Sequence, residues 1–150
     1  MYLIPEKIID IDILSNRNFT LAFTNGCFDI LHSGHIQSLI FAKSKADKLI
    51  VALNTDESIK KLKGLSRPIV PLEHRLNVIS AITFVDFVCY FDEYTPLSLI
   101  KQIKPDFLIK GYDYKEKEIV GSEFAKEVCY APMYEDISTS SIVKNFKKNM

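Results

Sequence analysis

Cysteine is scarce and scattered. Cys27, Cys89 and Cys129 are the only three in 150 residues, and no two form a Cys-x-x-Cys pair. Zinc-ribbon and dithiol spacings are thereby excluded, leaving free buried thiols in a reducing compartment as the expectation. Neither sign of charge is in excess, with 19 Lys+Arg against 19 Asp+Glu. A chain without a basic surplus has no broad footprint for nucleic acid, so no such partner is expected. No apolar run approaches the roughly 20 residues that span a bilayer. The first residues carry Glu6, Asp10 and Asp12 and lack the basic start and small-residue cleavage site of a signal peptide. The expectations are no membrane partner and a cytoplasmic location. Internal repeats and low-complexity segments are also missing.

What is present is an ordinary globular composition, 47% hydrophobic and 25% charged, in a length suited to one domain. We expect residues 1–150 to form that single domain, with 1–19 as a peripheral helix or edge extension. Short apolar runs predict strands at 21–24, 48–53, 87–91, 107–109 and 128–133. Helical patterns predict helices at 34–45, 54–61, 72–82 and 122–127. Thr95-Pro96 predicts a cap and first turn for a helix to 103, and Ser138 or Thr139 a cap for one to about 146. Strands alternating with helices imply an α/β fold with a five-stranded parallel sheet flanked by helices. In such sheets ligands bind beyond the carboxyl ends of the strands. The chemistry-bearing residues follow three predicted strands: Asn25 to His35, Asn54 to Asp56, and Lys110 to Asp113.

The richest of these is Asn25-Gly-Cys-Phe-Asp-Ile-Leu-His-Ser-Gly-His35. A strand turning into a helix N-terminus presents free N–H groups and the positive end of the helix dipole, a ready anion site. His32 and His35, three apart, put two imidazoles on one side of the first turn. Such rings donate to phosphate oxygens and match charge that develops during reaction. Gly34 removes a side chain where a ligand approaches the backbone. The natural ligand is a nucleotide phosphate. The basic stretch Lys60 to Arg67 holds four cations and no acid, which suits either a polyanion or a solvated face. His74 reads as a surface helix residue.

On these residues the chain resembles the HxGH nucleotidyltransferase superfamily, in its cytidylyltransferase-like group. It is most similar to heptose-type sugar-phosphate adenylyltransferases. The matching stretches are Thr24 to His35, Asn54-Thr-Asp-Glu-Ser58, Leu62-Lys-Gly64 with Arg67-Pro68, Lys110-Gly-Tyr-Asp-Tyr114 and Ser138-Thr-Ser140. The resemblance implies a Rossmann-like domain in which a phosphate monoester attacks the α-phosphorus of a nucleoside triphosphate and releases pyrophosphate. It implies ATP and a sugar 1-phosphate, with Mg²⁺ as cofactor and no metal ligand identified. It implies His32, His35 and Lys63 as catalytic groups. Thr24, Asn25, Gly26, Cys27, Phe28, Gly34 and Lys61 would bind the nucleotide together with Arg75, Lys110, Gly111, Asp113, Ser138 and Thr139. Asp29, Asn54, Asp56 and Arg67 would meet the acceptor. Relatives are often dimers, which implies a homodimer. Tyr112 and Asp136 stand where the heptose branch commonly has glycine, and Ser140 where it has threonine. Two other readings stay open: a CTP-dependent enzyme acting on a polyol phosphate, and a nucleotide-binding module without turnover.

Overall fold

The structure, a computed structural model, describes residues 5–133 and 137–150; Asp136 lies outside the described residues. Its strands are continuous apolar runs because alternate side chains serve two separate cores. In β1 (Leu21–Gly26), Leu21 and Phe23 enter one core and Ala22 the other. In β2 (Lys48–Asn54), Ile50 and Ala52 join Phe23, while Leu49, Val51 and Leu53 join Ala22. Helices α1 (Ser33–Lys43) and α3 (Leu72–Ser80) close the Ala22 side through Leu39, Ala42, Leu76 and Ile79. Helix α4 (Leu97–Ile103) and Leu14 close the Phe23 side.

With β3 (Phe87–Phe91), β4 (Phe107–Gly111) and β5 (Glu127–Ala131), the five strands pair in the order β3-β2-β1-β4-β5, all parallel. The chain therefore runs outward from β1 to β3, then crosses back to place β4 on the other side of β1. Connections leaving β1 and β4 diverge, and the divergence opens a crevice beyond their carboxyl ends. Helices α2 (Asp56–Lys63) and α5 (Thr139–Lys148) flank that end. No helix among the described residues is long and apolar enough to cross a membrane.

Residues 5–19 run along the edge of the sheet. Short 3-10 turns at Pro5–Lys7 and Ile11–Leu14 flank a parallel bridge from Ile8 to Val88. The segment thus covers the outer edge of β3, an edge that would otherwise offer unpaired backbone groups.

Several boundaries differ from the sequence expectation, each for a local reason. Asn54 ends β2, and α2 starts two residues later because the Thr55 hydroxyl accepts the Ser58 N–H at 3.2 Å. Pro96, not Thr95, caps α4, its carbonyl accepting the Ile100 N–H at 3.0 Å. The helix expected at 122–127 is a single 3-10 turn, Ser122–Phe124. Beyond it, Glu127 donates its N–H to the Asp106 carbonyl at 3.0 Å and enters the sheet. In α1 the core contact is made by Leu39 and Ala42, while Ile40 is 46% exposed.

Gly121 precedes that 3-10 turn at φ +81°, and a Cβ there would lie 2.8 Å from Ile100 Cγ2. Both the backbone region and the crowding oppose a side chain. Gly121→Ala is expected to destabilise the fold by about 1–3 kcal/mol, read as a lower urea midpoint at unchanged slope.

Candidate active site

The crevice is built on the turn after β1. Phe28 sits at φ +48°, a region that bulky residues rarely occupy. Its ring fills the space over Gly26, where a Cβ would lie 3.0 Å from Phe28 Cε2, and packs against the His35 ring at 5.2 Å. The strained turn thus delivers the chain to α1 with His32 at its cap and His35 in its first turn.

The two imidazoles stack at 3.8 Å between centroids. The His32 backbone N–H donates to His35 Nδ1 at 3.3 Å, which places the proton of a neutral His35 ring on Nε2. Burial, helped by the nearby His32 and Lys63, lowers the His35 pKa from its ordinary 6.5 to about 4. Burial lowers His32 as well. Both rings are therefore neutral donors at physiological pH. His32 Nδ1 is buried without a partner among the described residues, and Gly34 is held close beneath that ring, where a Cβ would lie 3.1 Å from it.

Helix α5 meets α1 at this point. Thr139 Oγ1 donates to the Ile30 carbonyl at 3.3 Å, and Ile137 lies against Gly34. Ser138 caps α5 by accepting the Ser141 N–H at 3.0 Å. Two helix N-termini consequently converge beside the histidines, a strong setting for an anion.

Five residues expected to touch ligand, Arg75, Asp56, Asn54, Asp29 and Arg67, are bonded to other parts of the protein. Arg75, 1% exposed, donates to the carbonyls of Val70 (2.9 Å), Cys27 (2.7 Å) and Asn54 (2.9 Å) and to Asp56 (2.7 Å). It ties the ends of β1 and β2 to the segment before α3. Asp56 also accepts the Leu72 N–H at 2.9 Å, and buried Asn54 donates to Ser58 Oγ at 2.9 Å. Asp29, 3% exposed, accepts the N–H groups of Ile69 and Val70 and pairs with Arg67 at 2.5 Å. Burial opposes its ionisation, but those backbone donors and the guanidinium outweigh burial and hold its pKa below the ordinary value. Arg67 keeps Nη2 buried and unpartnered among the described residues.

Lys61 and Lys63 both lie within α2, which runs two residues past the helix expected to end at 61. Two residues apart on a helix they diverge by about 200°. Lys63 lines the crevice, while Lys61 is exposed and lines no part of it. Lys110, at the end of β4, donates to Asn25 Oδ1 at 2.7 Å, and burial pushes its pKa down to about 8. Asp113 folds over Gly111, where a Cβ would lie 2.5 Å from its carboxylate, and faces a separate shallow recess.

Two cavities share Thr24, Asn25, Gly26, Cys27 and Gly111. One, of about 170 Å³, lies against His35; the other, of about 450 Å³, reaches Lys110, Lys63, Tyr94 and Tyr114. A wider groove of about 830 Å³ between Lys63, Arg67 and α5 is lined further by Lys144, Lys147 and Lys148. No group of three His, Cys, Asp or Glu suited to a metal occurs among the described residues. Asp29 and Asp56 are both engaged within the protein.

The family model described as cytidylyltransferase-like matches residues 23–145. The chain belongs to this family. Among curated relatives, "Bifunctional protein HldE" of Helicobacter acinonychis is 49% identical over 95% of this chain and 30% of its own length. The protein of the same name from Campylobacter concisus is 53% identical over 91% of this chain and 29% of its own. The chain thus spans about 30% of the curated relatives it matches. A solved structure described as the lipopolysaccharide core biosynthesis protein from Thermoplasma volcanium superposes with TM-score 0.64 at 26% identity. It covers 80% of this chain and all of that one. Pantoate-beta-alanine ligase from Francisella tularensis, at TM-score 0.61 and 14% identity, covers 93% of this chain and 76% of its own, and shares the fold.

Sequence reasoning missed Leu62, Tyr94 and Ser38, which line the two cavities. A signal existed for Tyr94: it follows the carboxyl end of β3 as the other site residues follow their strands.

Proposed function

We propose that this member of the cytidylyltransferase-like family transfers AMP from ATP to the phosphate of a sugar 1-phosphate, D-glycero-D-manno-heptose 1-phosphate in the first instance, releasing pyrophosphate. The observation that carries the reading is the neutral, stacked His32–His35 pair at the N-terminus of α1, beside the β1–β4 crevice. Identity near 50% to bifunctional proteins named HldE supports the heptose choice. So does the likeness to a protein titled for lipopolysaccharide core biosynthesis. The product would feed lipopolysaccharide or related surface polysaccharide.

An acceptor phosphate oxygen attacks the α-phosphorus as the bond to the β-phosphate oxygen breaks, and pyrophosphate carries off the electron pair. No covalent enzyme intermediate is needed. His35 Nε2–H and the free N–H groups of α1 stabilise charge on the α-phosphoryl oxygens, and Lys63 meets charge on the leaving pyrophosphate. Mg²⁺ would be held chiefly by the nucleotide's own phosphates and would supply charge neutralisation there, the usual way this ion binds when a protein offers few carboxylates.

The test is pyrophosphate release with Mg²⁺, crossing ATP, CTP, GTP and UTP against heptose 1-phosphate and glycerol 3-phosphate. Release with ATP and the heptose phosphate alone is expected. Release with CTP and glycerol 3-phosphate would keep the mechanism and overturn the substrates. Nucleotide binding without any release would overturn the enzymatic reading.

A further inference from the structure

We infer that Ser58 is a positioning residue: acting through Asn54, its hydroxyl tethers the Cys27 turn that carries the chain to His32 and His35. The inference rests on the nucleotidyl-transfer reading and gives a role in it to a wholly buried side chain.

Direction is the first argument. Ser58 stands in the first turn of α2. Its hydroxyl has one proton to donate, and the Glu93 carbonyl at 3.0 Å can only accept it. The Ser58 oxygen must therefore accept from its other partner, the Asn54 Nδ2 at 2.9 Å. That bond fixes which way the Asn54 carboxamide faces. Its nitrogen points to Ser58, and its Oδ1 is left toward the Cys27 Sγ at 4.0 Å, a weak thiol donor.

Place is the second. Cys27 immediately precedes Phe28, whose φ of +48° makes the turn costly to hold. Arg75 binds the backbone carbonyls of Cys27 and Asn54. Ser58 adds a tether on the side chains of the same two residues, so backbone and side chains are fixed separately.

Convergence is the third. The Thr55 hydroxyl, at the cap of α2, donates to Asp92, and Ser58 donates to the next residue, Glu93. The start of α2 thus clamps the segment that follows β3. Through Ser58 that segment is joined to the end of β2 and to the turn after β1. A loosened turn would displace the imidazoles from the phosphorus they serve, and small misplacements of reacting groups are costly in rate.

The experiment compares Ser58→Ala and Ser58→Thr with the parent chain by two readouts. One is kcat beside ATP affinity, measured well below Tm. The other is the rate at which Cys27 reacts with the disulfide reagent DTNB; Cys89 and Cys129 are buried, whereas Cys27 is half-buried. Ser58→Ala frees the carboxamide to turn its N–H donors toward the sulfur, which favours the reactive thiolate. Cys27 should then react about three- to tenfold faster and kcat should fall about tenfold, while ATP Kd stays within about threefold. Ser58→Thr keeps the hydroxyl and should recover part of both changes. Parental labelling with kcat lost, or ATP affinity lost as far as kcat, would overturn the assignment. Should Ser58→Ala fail to fold, Asn54→Ala is the second variant, since it leaves the Ser58 hydroxyl on Glu93 and opens the sulfur to water. It should lower kcat and speed labelling likewise, and parental values for both would count against the tether. Labelling needs no turnover, so a chain that shows the labelling change yet releases no pyrophosphate would refute the enzymatic reading alone.

Discussion

Replacing His35 by alanine is expected to lower turnover about 100- to 1,000-fold while changing nucleotide affinity by no more than about threefold. The asymmetry follows from geometry. On the proposed reaction, helix N–H groups and lysines would hold a triphosphate in the ground state. The His35 donor is fixed by the His32 N–H behind it and aimed at charge that grows only during transfer. His35→Gln, which keeps an N–H donor without titrating, should recover part of the loss. The pH dependence carries a further test. With its pKa lowered from 6.5 to about 4, the ring works neutral, so kcat should show no inflection near 6.5. Activity that rises on acidification through pH 6.5 would mean that the imidazolium is the working form. Stability responds with a defined sign. Between its ordinary value and about 4, the unfolded chain takes up a proton that the fold excludes. His35 therefore favours the fold above pH 6.5, and that advantage fades as pH falls toward 4.

The architecture was legible because each strand is an apolar run ended by residues that cannot continue it. The Asn25-to-His35 stretch was legible because a strand, a glycine and a helix start put anion donors in fixed order. Distances between separate segments were not legible. Nothing in the spacing of Lys61 and Lys63 shows that α2 continues through both and turns them apart. The sequence also presents Asp29 and Arg67 as free polar groups, whereas folding pairs them across 38 positions. The burial of Arg75 did leave a trace. It stands three after Leu72 and four before Ile79, on the apolar stripe of α3 rather than beside it. A lone cation on such a stripe signals a buried, fully bonded group.

That placement sets the largest stability effect. Arg75→Met should destabilise the protein by about 3–5 kcal/mol, as breaking a buried charged network does. For a chain of this size that lowers Tm by roughly 10 °C. Methionine fills much of the volume, so the loss is of bonding. The carbonyls of Val70, Cys27 and Asn54 lose their donor, and Asp56 loses its cation. Arg75→Lys should restore little, because one ammonium cannot span four acceptors spread over β1, β2, α2 and the segment before α3. Calorimetry and ATP titration together separate two roles. A brace shows a large fall in Tm, with ATP affinity weakened through the loosened Cys27 turn and regained in part on cooling. A direct ligand shows parental Tm with ATP binding lost at every temperature. The second pattern would return Arg75 to the nucleotide-binding role that the family resemblance implies. The first would make it the residue that holds the ends of β1 and β2 in register for the histidine pair.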